Sequence, residues 1–296
     1  MLVAVAAAGC GGSDGDEQRS DGANEPRSAA GAAAGATLAA VPEIYRTLEP
    51  SVVAVEVRGA QGSGEGSGVV YKARQIVTNH HVIAGAAEID VAIASGERLD
   101  ARLVASDPRT DLALLSVERD LPPATFARSV PPVGSLAVAI GNPLGFSGSV
   151  TAGIVSGVDR AIPSGGLTPA LVNLLQTDAP ISPGNSGGAL VDGDGEVIGI
   201  TEAYLPPVSG AVAIGFAIPA ATVVDVVEEL REDGRAEHAF LGLQPSTLTP
   251  DVAERLDVSV DRGVVVLSVQ DGGPAARAGL RPGDVITALA GEEVES

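Results

Sequence analysis

Between Ser51 and Ile218 the chain is cut into short apolar runs by turn-forming residues, and this spacing limits its possible folds more than any other feature. One set of six comprises Ser51–Val57, Val69–Tyr71, Gln75–Val77, Glu88–Ile93, Arg98–Ala105 and Leu112–Val117. A second comprises Leu136–Ile140, Ser149–Ser156, Leu174–Thr177, Ala189–Val191, Val197–Ile200 and Ala211–Ile218. Such runs, short and rich in β-branched residues, read as strands, and many at regular spacing predict a sandwich or barrel. Two sets of six predict two barrels, 41–130 and 131–219, divided at the Pro131-Pro132 turn. Aromatic residues make up 2% of the chain and Trp is absent, so the core must be built from Val, Ile, Leu and Ala.

The flanks have other textures. Residues 2–9 (LVAVAAAG) are apolar but far short of the roughly 20 residues a spanning helix needs. Ending at Cys10, they resemble a bacterial lipoprotein signal in which Cys10 is lipidated; a plain secretory signal or an Ala-rich start without function is the alternative. Residues 11–40, rich in Gly, Ser, Ala and acids, bury too little apolar surface to offset ordering entropy and read as a flexible tether. Over 220–237 the pattern changes to a helical period: Val223, Val226, Val227 and Leu230 share one face, and Gly234 is the expected stop. A smaller α+β texture occupies 238–296.

Charge and residue counts remove several function classes. A net charge of −20 leaves no basic surface to neutralise phosphates, which argues against nucleic acid. One cysteine permits neither an internal disulfide nor a multi-cysteine metal site, and no metal or other cofactor is implied. The GSGEGSG run at 62–68 does not satisfy GxGxxG and carries an acid, so it is not read as a nucleotide loop.

Three places carry residues suited to nucleophilic chemistry: Thr78-Asn79-His80-His81-Val82, Thr110-Asp111-Leu112, and Pro183-Gly184-Asn185-Ser186-Gly187-Gly188. A serine attacks a carbonyl only when a base takes its proton, and the base works best when a buried carboxylate orients it. Glycines beside Ser186 allow a sharp turn that aims backbone amides at a developing oxyanion. Gly184–Gly188 also fits the nucleophile elbow of an α/β-hydrolase, but that order puts the histidine after the serine. Here the order is His81, Asp111, Ser186, as in chymotrypsin-like double barrels. Asp107 competes with Asp111 for the orienting role; it precedes Pro108 in a turn, whereas Asp111 leads an apolar strand.

These motifs resemble the HtrA (Deg) family of serine proteases. The matching pieces are GSGVV (66–70), TNHHVI (78–83), TDLALL (110–115), GNPLG (141–145), QTDAPISPGNSGGALV (176–191) and GFAIP (215–219), with separations of 30 and 75 residues between the three candidate residues. The resemblance implies a mainly β fold, a chymotrypsin-like double β-barrel followed by a truncated α+β PDZ domain. It implies an ATP-independent endopeptidase of the bacterial cell envelope, acting on unfolded proteins through His81, Asp111 and Ser186, with an oxyanion hole at Gly184, Asn185 and Ser186. Ile181, Ile214, Gly215 and Phe216 would line an apolar pocket favouring small or medium aliphatic residues, although Ile181 and Ile214 also read as core. Loop 157–173 corresponds to the family's sensor loop, with Arg160 either a relay or a solvated surface residue. FLGL (240–243), GVVVLSV (263–269) and GGPAARAGLRPGDVI (272–286) resemble a PDZ domain, whose Leu241, Gly242 and Leu243 amides would hold a peptide carboxylate. The sequence ends before the second helix of such a domain. A homotrimer is implied, with Tyr45, in the candidate helix Pro42–Leu48, packed between subunits or on its own barrel. Two other readings stand beside this one: a peptide-binding chaperone or scaffold with a mostly inactive site, and an unregulated trypsin-like enzyme.

Overall fold

The computed structural model describes residues 39–60, 62–142, 148–162, 170–205, 214–256 and 258–294. Cys10, residues 11–38 and residues 163–169 of the loop lie outside the described residues.

Pro42 stands in the first turn of helix α1 (Val41–Leu48), where its missing N–H costs nothing, and the helix buries Ile44 and Leu48. Strands β1 (Val52–Gly59), β2 (Gly62–Lys72), β3 (Gln75–Asn79), β4 (Ala86–Ala92), β5 (Arg98–Asp107) and β6 (Leu112–Val117) close into a barrel in the order β1-β2-β3-β6-β5-β4. A one-turn helix α2 (His80–Ile83) leaves the end of β3. Strands β7 (Leu136–Gly141), β8 (Ser149–Ile162), β9 (Leu171–Thr177), β10 (Ala189–Val191), β11 (Val197–Leu205) and β12 (Ile214–Pro219) close a second barrel, ordered β10-β11-β12-β9-β8-β7. The fold is the mainly β double barrel expected from the strand spacing.

Period-2 alternation explains why several strands read as unbroken apolar runs. In β6, Ala113, Leu115 and Val117 fill the first barrel with Val53, Val55, Ile76 and Val91. Leu112 and Leu114 point the other way, into a cluster shared by both barrels, α1 and helix α3 (Ala220–Asp233). A strand buried on both faces has no polar side to show. The second barrel is filled largely by small residues, among them Ala127, Ala137, Ala139, Ala179 and Ala217. Helix α3 contributes Val223, Val226, Val227 and Leu230 to the shared cluster and stops at Gly234, whose φ of 70° is left-handed.

Several strands are longer than the sequence pattern predicts, among them β8, which continues past Ser156 to Ile162, and two that border the site. β2 begins at Gly62, taking in the GSGEGSG run, because Gly64, Gly66 and Gly68 lie opposite Val57, Val55 and Val53 in tight register. A methyl at Gly66 would come within 2.7 Å of Val82, and at Gly68 within 2.7 Å of Ile76. Strand β11 continues past Ile200 to Leu205 through a bulge between Thr201 and Ala203. Beyond α3, strands β13 (Leu243–Thr247), β14 (Val264–Val269) and β15 (Val285–Ile286) form a small sheet. Helices α4 (Pro250–Leu256) and α5 (Pro274–Arg277) accompany it, and β16 (Ala288–Leu289) pairs with β17 (Glu292–Glu293). Among the described residues no helix is long and apolar enough to cross a membrane.

Candidate active site

The register of β3 on β6 sets Asn79 opposite Leu112, so the residues just beyond these strand ends must meet. They are His81 and Asp111. His81 Nδ1 lies 2.5 Å from Asp111 Oδ2, and the His81 backbone N–H donates to Asp111 Oδ1 at 2.9 Å. The Asp111 carbonyl accepts from the His80 N–H and from Asn79 Nδ2, each at 3.0 Å. These contacts hold Asp111 at φ 57°, a left-handed conformation that aspartate tolerates better than most residues. Asp111 is 8% exposed, so its bonded carboxylate is well placed to fix one imidazole tautomer, with Nδ1 protonated and Nε2 free to accept.

Asp107 has a different job. Its carboxylate accepts from the N–H groups of Arg109 and Thr110, from the Thr110 hydroxyl at 2.5 Å, and from His238 Nε2 at 2.8 Å. Burial pushes its pKa up, yet these hydrogen bonds and the His238 charge hold it below the usual carboxylate range. His80 turns its Nδ1 to Ser106 Oγ at 3.1 Å, away from Asp111.

Ser186 follows a turn in which Asn185 N–H donates to the Ser182 carbonyl at 3.0 Å, with Pro183 and Gly184 at its centre and Gly184 at φ 93°. The Gly184 carbonyl accepts from Ser67 Oγ at 2.7 Å, and Ser67 N–H donates to the Ser186 carbonyl at 2.8 Å, so β2 of the first barrel braces the turn. Gly187, at φ 86°, admits no side chain, since a methyl would lie 2.1 Å from the Ser67 carbonyl oxygen. Among the described residues the Gly184 and Ser186 amides donate to no backbone acceptor. Asn185 is buried, and its carbonyl accepts from Thr201 Oγ1 at 2.5 Å. The Ser186 hydroxyl donates to the Glu202 carbonyl at 2.8 Å; the hydrogen bond from nucleophile to base is not made in this rotamer.

Glu202 was not among the residues expected from the sequence. It is 8% exposed, its Oε1 lies 3.8 Å from His81 Nδ1, and a carboxylate oxygen of Glu202 lies within 4.8 Å of one of Asp111. Burial first, then the Asp111 charge, push its carboxyl up to about 7. Burial draws the His81 imidazole down, but the Asp111 hydrogen bond and charge, with the Glu202 charge, outweigh it and leave the pKa raised above 6.5. The one available signal was an acid standing in an apolar stretch, ITEAYL, beyond the point where the strand appeared to end. Ligand atoms of His81, Asp111 and Glu202 lie within 4.8 Å of one another, but His81 Nδ1 carries the proton given to Asp111, so we assign none of them to a metal.

The four candidate pocket residues divide between two faces. Ile181 lies over Gly215, where a methyl would come within 2.7 Å of Ile181 Cδ1. Ile214 and Phe216, one residue to either side on β12, alternate to the opposite face and join the shared core. Arg160 is exposed and donates from Nε to Gln176 Oε1 at 3.0 Å, with its guanidinium lying over Gly157. At the start of the C-terminal module, the carbonyls of Leu241 and Gly242 accept from Ala275 N–H and Gln270 N–H, while Leu243 pairs with Val269. Phe240, Gly242, Leu243, Gln244, Ser268 and Val269 line an open groove of about 260 Å³ there. Tyr45 is half-buried on its own barrel beside Gly148 and donates to Glu49 Oε1 at 2.8 Å; burial and Glu49 push its phenol up to about 12.

Comparisons with known proteins bear on the family and the fold. Residues 66–200 match the family model for a trypsin-like peptidase domain, and 265–296 match that for a PDZ domain. A probable periplasmic serine endoprotease, DegP-like, of Brucella suis biovar 1 (strain 1330) is 42% identical over 240 residues, covering 80% of this chain and 45% of that protein. The corresponding Pseudomonas fulva (strain 12-X) protein is 38% identical over 267 residues, covering 87% and 55%. The chain thus spans about half the length of the curated relatives it matches. Among solved structures, the HtrA-type protease AlgW with tripeptide superposes with a TM-score of 0.74 at 41% identity, covering 86% of this chain and 84% of that one. The serine endoprotease from Yersinia pestis gives 0.64 at 36% identity, covering 86% and 83%.

Proposed function

This chain belongs to the HtrA-type serine proteases, and from that premise we propose that it is an extracytoplasmic endopeptidase acting on unfolded or damaged proteins. Ser186 is the nucleophile, His81 the general base and then acid, and Asp111 the carboxylate that orients the ring. One observation carries this reading. Glu202 holds the Ser186 hydroxyl on its carbonyl and faces the Asp111–His81 pair with its side chain, so all three groups surround a single residue.

The reaction needs a small movement first. Rotation about the Ser186 Cα–Cβ bond takes the hydroxyl from the Glu202 carbonyl towards His81 Nε2. Oγ then attacks the scissile carbonyl as Nε2 takes its proton, and Asp111 stabilises the imidazolium. The amides of Gly184 and Ser186, with Asn185 between them, receive the oxyanion. His81 returns its proton to the leaving amine, and water repeats the sequence to release the acyl group. Ile181 over Gly215 forms an apolar floor suited to small or medium aliphatic residues, and cleavage dominated by Arg or Lys would reject that assignment. A fluorophosphonate probe tests the whole reading: a covalent adduct at Ser186 in the folded chain is expected, and its absence with substrate peptide present overturns the reading.

The wider biology follows the same reading. Location in the bacterial envelope agrees with relatives named as periplasmic. Lipidation at Cys10 would add a membrane anchor, Arg160 would relay peptide occupancy, and the Leu241-Gly242-Leu243 amides would hold a peptide carboxylate. We also propose a homotrimer, which a monomer mass by light scattering across micromolar concentrations would reject. A second reading has its own support: with Ser186 turned to Glu202, the resting site is unarmed, as in a peptide-binding chaperone. If Ser186→Ala suppresses client aggregation as well as the parent, and the parent never cleaves casein, the binding reading replaces the enzymatic one.

A further inference from the structure

Glu202 has no part in a three-residue mechanism, yet its place in the fold is specific. In β11, Thr201 pairs with Ala217 and Ala203 with Phe216, so Glu202 is the extra residue of a bulge. A bulge leaves one residue outside the ladder and re-aims its side chain, and such features are enriched beside active sites. Here the bulge frees the Glu202 carbonyl for the Ser186 hydroxyl and turns the carboxyl towards Asp111 and His81. Its Oε2 is buried and has no partner among the described residues. An acid in that setting costs stability unless it is protonated or paired with a cation.

The surroundings supply one cation at most. Strands β10 (ALV) and β12 (IGFAIP), which flank β11, and β3 (QIVTN) carry no titratable side chain. Helix α3, also packed on β11, carries Asp225, Glu228, Glu229, Arg231, Glu232 and Asp233; Glu228 pairs with both Arg231 and Lys72. The groups acting on Glu202 are therefore Asp111 and His81. Two buried carboxyls whose oxygens lie within 4.8 Å of each other, with one imidazole beside them, repel when both are ionised, and a proton held between them removes that repulsion.

We propose that Glu202 is a positioning residue for the catalytic pair, sharing one proton with Asp111 so that Asp111 is held against His81 and a single negative charge, not two, faces the imidazole. The inference rests on the proteolytic reading above and deepens it. When the shared proton leaves, a second charge appears 3.8 Å from His81 Nδ1 and favours the protonated ring, which cannot act as base. The proton losses of Glu202 and His81 therefore oppose one another, and the site titrates as a unit. In Glu202→Gln the amide still donates to Asp111 but brings no second charge.

The test reads the His81 ring directly, by NMR titration in Ser186→Ala and in Ser186→Ala/Glu202→Gln. The double variant should titrate in one step, with its midpoint lower by about half a pH unit or more, a threefold change in proton concentration. The acid limb of peptidase activity in the single variant Glu202→Gln should move the same way. Glu202→Leu, which cannot donate to Asp111, should lose activity that Glu202→Gln keeps. Coincident His81 midpoints in the two folded proteins overturn the proposal. Should the double variant not fold, ¹³C-glutamate carboxyl titration of Ser186→Ala decides: one glutamate titrating near neutrality is expected, and all of them titrating below about pH 5.5 overturns it. Loss of the fluorophosphonate adduct in the parent chain would instead remove the proteolytic reading and leave these titrations readable.

Discussion

Asp107 and Asp111 share a turn, and their hydrogen bonds give them opposite duties. Asp111→Asn should leave the fold nearly intact and lower turnover by about four orders of magnitude, because an amide opposite Nδ1 no longer fixes the tautomer or offsets the imidazolium charge. Asp107→Asn should keep most of its activity and lose stability. A carboxyl whose folded pKa lies below its unfolded value near ~3.9 contributes fully above that value and loses its contribution as pH falls through the folded pKa. The destabilisation of Asp107→Asn, about 1–3 kcal/mol at neutral pH, should therefore shrink below about pH 4. Denaturant melts at pH 7 and pH 3 measure the difference; an unchanged gap at pH 3 would show that the lost interaction is not charge-linked. At His81, Asp111 and Glu202 together outweigh burial, so peptidase activity should fall on acidification from a point above pH 6.5, as a pH–rate profile will show.

At the scale of elements, the chain's pattern announces all twelve barrel strands, yet misjudges the ends of those nearest the chemistry. Glycine weakens strand propensity, so GSGEGSG falls outside the runs that read as strands. Only tertiary register explains it: Gly66 lets β2 pass over Val82 and the Ser186 carbonyl. Strand β11 reads as ending at Ile200 because a bulge breaks the alternation that marks a strand, and Glu202 was lost with the part beyond. His81, Asp111 and Ser186 were legible because their motifs are local and their order is decisive. The apolar pocket was less legible, since Ile214 and Phe216 take the face opposite to Gly215, and a run of apolar residues does not say which face is which. The turn at Ser186 offers a sharp test. Gly187→Ala places a methyl 2.1 Å from the Ser67 carbonyl oxygen at a φ that disfavours any side chain. It should destabilise the chain by more than about 2 kcal/mol and abolish probe labelling, whereas Gly193→Ala, whose methyl would meet only Leu136 at 3.9 Å, should do neither.

At the scale of the molecule, two side-chain links tie the segment after the second barrel back to the first. Glu228 on α3 accepts from the Tyr71 hydroxyl at 2.6 Å, Lys72 Nζ at 2.7 Å and Arg231 Nε at 2.7 Å, and these donors, Lys72 first, hold its carboxyl down at about 2. Glu228 is about a third exposed, so solvent screening keeps the net value of this link to about 1 kcal/mol or less. The second link is better sheltered: His238, between α3 and the C-terminal module, reaches Asp107 in the turn that leads to Asp111. Few other contacts are needed to make this junction informative, because one end lies next to the catalytic pair and the other precedes the groove beside Phe240. His238→Ala removes the donor to Asp107 Oδ2 while Thr110 and Arg109 still hold the turn. Amide hydrogen exchange should therefore speed up over residues 235–242 by several-fold, with β3 and β6 unchanged and Ser186 still labelled by the probe. Unchanged exchange at 235–242 would mean that the junction is held by packing of α3 alone, and faster exchange in β6 would mean that His238 supports the barrel itself.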